Sequence, residues 1–259
     1  MKLTVLTENT ASDGFLAEHG LSYLIEHNGT KLLFDTGHSD IFLKNAEHLN
    51  IDLSDVEIVV LSHGHWDHGN GLKHLKNKTL ICHPYAFIKR YRKSDSTFVG
   101  LNLNFKDLNK KFKLINTRKP YYITEDIIFL GEIPRLNSFE SKITSYIDCH
   151  EKDDLIPDDS ALVFIQNNEL VIVSGCAHSG ICNITEYAKK ISKIKNIKAI
   201  IGGFHLKTND AQTKKTIRYF EDQELGGIYP SHCTGMLVIK EFQKKFNTKQ
   251  VSAGMEFKF

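Results

Sequence analysis

The chain has 259 residues, of which 41% are hydrophobic and 25% charged, and a formal net charge of +2. That is the balance of a globular protein long enough to bury a sizeable core. A charge so near neutral excludes a global electrostatic case for nucleic acid or an anionic membrane surface, and no apolar run approaches the ~20 residues of a membrane helix.

In chain order, Lys2–Thr7 reads as a strand, and the start lacks the apolar core and cleavage site of a secretory signal. Ser22–Glu26 and Lys31–Phe34 read as two strands joined by His27-Asn28-Gly29-Thr30, whose Asn-Gly is a hairpin signal. Asp40–Leu49 carries Ile41, Phe42, Ala46 and Leu49 at helical spacing. Val56–Leu61 is a β-branched, buried strand, and Gly69–Leu75 reads as a turn opening a helix. Thr79–His83 is a short strand. Residues 84–150 are less regular and rich in aromatics, which predicts an inserted α+β segment or lid. Ala161–Ile165 and Leu170–Ser174 form a second hairpin through Asn167-Asn168. Ile181–Ile194 is an amphipathic helix, Ile197–Gly202 a strand, Ala211–Asp222 a helix, Gly227–Tyr229 a strand and Thr234–Lys245 a helix, before a closing segment over Val251–Phe259. Hairpins mixed with strand–helix units predict an α/β architecture of sheets packed face to face with helices outside. The lysines of 189–198 read as a solvated helix face. Five cysteines, an odd number, predict free thiols in a cytoplasmic protein.

The densest chemistry lies in His63-Gly64-His65-Trp66-Asp67-His68, directly after the strand over 56–61. In an extended loop alternate residues point the same way, so His63 and His65 converge on one cation. Asp67 and His68 are adjacent, face apart and serve a second. Imidazole with carboxylate suits zinc, and equally iron or manganese. Asp35, closing a strand, is placed to hold a ligating histidine through its other ring nitrogen. His205, at another strand end, is a candidate to bind a substrate anion or donate a proton, and His19 borders the site.

The His-x-His-x-Asp-His motif resembles the signature of the metallo-β-lactamase superfamily. Leu33-Phe34-Asp35-Thr36-Gly37 before it, and Ser174-Gly175-Cys176-Ala177-His178-Ser179-Gly180 and Tyr229-Pro230-Ser231-His232-Cys233 after it, extend the resemblance over nearly the whole chain. Glu18–Ser22, Gly175–Gly180, Gly202–Leu206 and Ser231–Gly235 are similar to the branch named after 7,8-dihydropterin-6-methyl-4-(β-D-ribofuranosyl)aminobenzene-5′-phosphate synthase. The resemblance implies an αββα sandwich over 1–259, with the insertion at 84–150, and two divalent cations. It implies His232 as the last histidine ligand and His178 as another. The chain departs from the commoner pattern at Pro157-Asp158-Asp159-Ser160 and at Cys176, so Asp159 and Cys176 stand as alternative ligands.

The resemblance implies a hydrolase whose metal-bound hydroxide attacks a small phosphoester or cyclic ester, with Asp67, His205 and Asp35 as the working residues beside the ligands. Two other functions are open: a synthase joining an aminobenzene ribosyl phosphate to a dihydropterin, and a metal-dependent binding or sensor protein. The expected partner is a small molecule, with neither nucleic acid nor membrane, and a homo-oligomer is compatible with the chain.

Overall fold

In the computed structural model, which describes residues 1–246 and 248–259, the chain runs through β1 (Lys2–Thr7), β2 (Ser22–His27), β3 (Thr30–Phe34), α1 (Ile41–His48), β4 (Ile58–Val60), α2 (Trp66–Gly69) and β5 (Lys78–Cys82). β6 (Arg90–Arg92), α3 (Phe105–Lys111), β7 (Phe112–Asn116), β8 (Tyr121–Thr124), β9 (Ile127–Phe129) and β10 (Tyr146–Asp148) follow. The chain ends with β11 (Ala161–Gln166), β12 (Glu169–Ser174), α4 (Ile181–Ser192), β13 (Ile197–Gly203), α5 (Ala211–Glu221), β14 (Ile228–Ser231), α6 (Met236–Lys245) and β15 (Glu256–Lys258). Two compact units emerge: residues 1–118, 144–158 and 252–258, and residues 119–143, 159–251 and 259.

The first unit is built on a sheet of order β15-β1-β2-β3-β4-β5-β7. β1, β2 and β3 are antiparallel, while β3, β4, β5 and β7 are parallel. The β2–β3 hairpin turns at Asn28 (φ 45°) and Gly29 (φ 79°), the two positive φ values that a two-residue primed turn requires. One face of the sheet packs Leu6, Leu24, Leu33, Val59 and Leu80 against Phe42 and Ala46 of α1. Asn45, buried on the same helix, is fully used: its amide donates to the carbonyls of Leu6 and Leu16, each at 2.8 Å, and accepts from Leu16 N at 3.0 Å.

The second unit has a sheet of order β14-β13-β12-β11-β9-β8. β12, β13 and β14 are parallel, and the β11–β12 hairpin again turns on two left-handed residues, Asn167 and Asn168. Ile172 and Ile200 of the sheet meet Ile181 and Ile184 of α4, Ile217 and Phe220 of α5, and Val238 and Phe242 of α6. Glu140 caps α4, its carboxylate accepting from the amides of Cys182 and Asn183, each at 3.0 Å. Burial nonetheless pushes the Glu140 carboxyl above its ordinary range.

Two expectations differ in detail. The helix expected over Gly69–Leu75 begins earlier, at Trp66, and gives way to a 3₁₀ turn over Asn70–His74. Gly71 explains the tight geometry: a Cβ there would stand 2.1 Å from the Thr36 carbonyl oxygen. The segment 84–150 is shared out: β6 and β10 pair as a ribbon, β7 extends the first sheet, and β8 and β9 extend the second. Among the described residues no helix is long and apolar enough to cross a membrane, and none of the five cysteines is in a disulfide.

Candidate metal centre

In parallel β-sheets chemistry collects at the C-terminal edge, where side chains emerge from a rigid base. In the first unit that edge is formed by Asp35 after β3 and by Ser62–His68 after β4. Asp35 sits at φ 58° and is wholly buried. Its Oδ1 accepts from Ser62 N at 2.7 Å, and its Oδ2 from Ser62 Oγ at 2.7 Å and from His68 Nδ1 at 2.6 Å. A proton held at Nδ1 leaves the Nε2 lone pair of His68 for a cation, the usual arrangement behind a metal-binding imidazole. Asp35→Asn keeps an acceptor for Ser62 but loses the charge facing His68. It is expected to weaken metal affinity ~10–100-fold with the fold retained, read by competition with a chromophoric chelator.

His63 Nε2 and His65 Nδ1 stand 2.9 Å apart, both rings buried. Burial drives the His63 imidazole well below its ordinary range, aided by the neighbouring His68 and His65. The His65 imidazole is lowered to about 3, by burial first and then by the positive charge of Arg90. Two neutral imidazoles with nitrogens so close share a proton, and with both lone pairs turned inward the same two nitrogens can serve one cation. The Asp67 Oδ2 lies 3.9 Å from His68 Nε2 and 3.2 Å from His19 Nε2, so carboxylate and imidazoles converge on that side too.

A buried ion network that the local motif does not announce holds this loop. Gly64 N donates to Asp158 Oδ2 at 2.7 Å. The Arg90 guanidinium grips the same carboxylate at 3.1 and 2.8 Å, pairs through Nε with Asp154 at 3.1 Å, and donates to the Tyr85 carbonyl at 3.1 Å. Burial would raise the Asp158 carboxyl, but the Arg90 charge and hydrogen bonds hold it below the usual range. The Tyr146 ring lies 4.7 Å from that of His65. Gly64 itself touches backbone: a Cβ would come within 1.8 Å of the Ala86 carbonyl oxygen. Gly64→Ala is therefore expected to lower the thermal midpoint by several degrees, since neither backbone can yield without opening the loop; differential scanning calorimetry reads it.

In the second unit the loops after β12, β13 and β14 carry the other candidates. Gly203 N donates to Gly175 O at 3.0 Å, Phe204 N to Thr234 Oγ1 at 3.0 Å, and Gly235 N to Leu206 O at 2.8 Å, lacing the three loops together. His205 (φ 50°) and His232 (φ 48°) both adopt left-handed backbone, as does Ala177 before His178. The His178 and His205 rings are 4.2 Å apart. Asp159, an alternative ligand on sequence grounds, spends Oδ2 on Ser179 N at 2.9 Å and Ser179 Oγ at 2.5 Å. Burial pushes its carboxyl upward in spite of those bonds, so it braces the His178 turn. Cys176, His205 and Cys233 face one another within 4.8 Å. Burial would raise the Cys233 thiol, but contacts with Cys176 and His205 and the nearby imidazoles hold it well below its ordinary range.

The first unit thus gathers Asp35, His63, His65, Asp67 and His68, and the second gathers Cys176, His178, His205 and Cys233, with His232 adjoining Cys233. Sequence reading missed Ser62, Arg90, Asp154 and Asp158. The only signal was the acidic pair Asp158-Asp159.

Residues 17–136 match the metallo-β-lactamase superfamily. The chain is 36% identical, over 95% of each sequence, to an uncharacterized protein of Methanocaldococcus jannaschii. It is 31% identical to the 7,8-dihydropterin-6-methyl-4-(β-D-ribofuranosyl)-aminobenzene-5′-phosphate synthase of the same organism, over 100% of this chain and 97% of the relative. A crystal structure described as a metal-dependent hydrolase of the β-lactamase superfamily superposes with a TM-score of 0.89 at 29% identity, over 100% of this chain and 99% of the other. With its fold, its motif and these relatives in agreement, the chain belongs to the metallo-β-lactamase superfamily.

Proposed function

We propose that the protein is a metal-dependent hydrolase of a small phosphoester or cyclic ester, working with two divalent cations. We take His63, His65, Asp67, His68, His178 and His232 as the ligands. Zinc is the expected metal, with iron and manganese compatible with the same donors. Such a pair supplies Lewis acidity and a nucleophile from water at neutral pH. The single observation that carries the reading is the buried pair His63 Nε2 and His65 Nδ1 at 2.9 Å, beside a His68 locked by Asp35.

The protein's own groups do the rest. Asp35 keeps the proton on His68 Nδ1 and so fixes the ring's orientation. Burial keeps His63 and His65 neutral, hence able to act as ligands at pH values where exposed imidazoles are half protonated. Asp67 brings a negative charge that offsets the cations and orients the attacking water.

The test is metal content by inductively coupled plasma mass spectrometry, on wild type beside His178→Ala and Asp159→Ala, followed by an ester and phosphodiester panel. About two ions per chain, falling towards one in His178→Ala, is the expected result. A fully loaded protein that hydrolyses nothing on the panel would count against the reading. The 31% identical synthase favours a second reading, in which the same site joins an aminobenzene ribosyl phosphate to a dihydropterin. Product formation from those two substrates separates the two.

A further inference from the structure

The loops after β12, β13 and β14 carry a cluster of two thiols and one imidazole outside the six expected ligands of the hydrolase reading. Cys176 Sγ, Cys233 Sγ and an imidazole nitrogen of His205 lie within 4.8 Å of one another. Both cysteines are buried, and the Nδ1 of His205 is buried without a hydrogen-bond partner. The Cys233 sulfur accepts from His205 N at 3.3 Å and stands 3.4 Å from the Cys176 carbonyl oxygen. Gly203 makes the room: a Cβ there would come within 2.6 Å of Cys233 Sγ and 3.2 Å of the Cys176 Cα. The left-handed backbone of His205, directly before Leu206, and of His232, directly before Cys233, sets the angles at which two of these side chains leave their strands.

We propose that Cys176, His205 and Cys233 form a thiol-rich metal site within the second unit, taking zinc or another thiophilic divalent cation. Two sulfurs and one imidazole are a soft donor set, which selects zinc and its heavier congener cadmium over magnesium or manganese. Three protein ligands leave a further position for water or for a small ligand. On binding, two sulfur–metal bonds form, the two thiol protons pass to solvent and no electron is transferred. An N–H pointing at a sulfur, as His205 N points at Cys233, is the kind of outer contact that steadies a coordinated thiolate. Packing alone would not leave a buried imidazole nitrogen unsatisfied beside two sulfurs. The hydrolase reading takes its expected ligands elsewhere but keeps His205 as a working residue and Cys176 as an alternative ligand, so the two readings meet at those two side chains.

The experiment uses the full-length protein, reduced and stripped of metal, titrated with cadmium alone. It follows the thiolate-to-cadmium charge-transfer absorption in the ultraviolet and the bound metal by mass spectrometry. The background is a His63→Ala/His68→Ala variant, which disables the first unit's histidines. That variant is expected to bind one cadmium with the charge-transfer band, and to lose both when Cys233→Ser is added. Cys233→Ala and His205→Gln, added singly to the same background, give a second and third reading if the serine variant fails to fold by circular dichroism; each is expected to abolish tight binding. No band in the double-histidine variant would overturn the proposal, since the thiols would then serve the first site only. A band undiminished by Cys233→Ser would overturn it as well, as would a Cys176–Cys233 disulfide in the isolated protein with no cadmium uptake after reduction. A filled thiol site adds one ion to those of the hydrolase reading, so failure of that reading would appear instead in the activity panel and in a His178→Ala metal count equal to that of wild type, neither of which this background touches.

Discussion

Asp158→Ala is expected to destabilise the protein by ~3–5 kcal/mol, the largest single effect foreseen away from the metal ligands. Arg90 has no exposed surface, and its guanidinium makes two bonds to Asp158. Removing one partner of a buried pair leaves the other charge desolvated, and Asp154 at Nε offsets only part of that. The same change strips Gly64 N of its acceptor, exposing the His63–His65 loop to fraying. Asp158→Asn separates the two losses: an amide oxygen still accepts from Gly64 N, but the charge facing Arg90 is gone. The alanine variant is expected to exceed the asparagine variant by ~1–2 kcal/mol, the usual cost of an orphaned buried N–H. Urea midpoints at constant m-value read both changes, and the metal content of each variant reports whether the loop still holds its cation. A loss below ~1 kcal/mol in Asp158→Ala would show that Arg90 reaches water or another carboxylate in solution.

Metal-free protein is expected to lose stability steeply on acidification. The folded pKa values of His63 and His65 lie below the ordinary imidazole value of about 6.5, that of His65 at about 3. Between those limits the unfolded chain binds protons that the folded chain refuses, so stability rises with pH. The contribution is therefore fully present above pH ~6.5 and declines as pH falls through 6 and 5 towards the folded values. Each histidine adds a slope of up to ~1.4 kcal/mol per pH unit in that window, and two together account for several kcal/mol by pH 4 to 5. Denaturant titrations at half-unit pH steps, on wild type and on His65→Gln, test it. The variant is expected to show roughly half the slope, since one of the two titrating groups is gone. Equal slopes would place the proton uptake elsewhere. Saturating metal should flatten the upper part of the curve, because cation and proton compete for the same lone pairs.

What the sequence disclosed divides along a physical line. Local signals were legible. The Asn28-Gly29 and Asn167-Asn168 turns place two hairpins, and the apolar runs before Asp35, His63, Cys176, His205 and His232 mark strands that end in chemistry. Each depends on residues within a few positions of one another. Arg90 and Asp158 are 68 residues apart, lie in stretches without clean periodicity, and meet only because β6 and β10 pair near them. No window of sequence encodes that meeting. The bracing role of Asp159 escaped for a related reason: a buried carboxylate serving backbone and a serine looks, in sequence, the same as one serving a cation. The helix start at Trp66 escaped because Gly69 and Gly71 suggested a turn, while His68 N and Gly69 N in fact reach back to the His65 carbonyl.

The left-handed backbone at Asp35, Ala177, His205 and His232 bears on how this protein would change under selection. Glycine or asparagine would sit more comfortably at each of these positions, by up to ~1 kcal/mol. A laboratory population propagated for heat resistance alone would therefore gain by exchanging the two histidines for those residues, one step at a time, while Asp35 would stay because Ser62 and His68 depend on it. The first generations would be sturdier and chemically silent. Propagated for turnover of a substrate found on the panel, the same population would keep the awkward residues and recover its robustness at sites far from the loops, so a comparison of the two lineages would map the working positions.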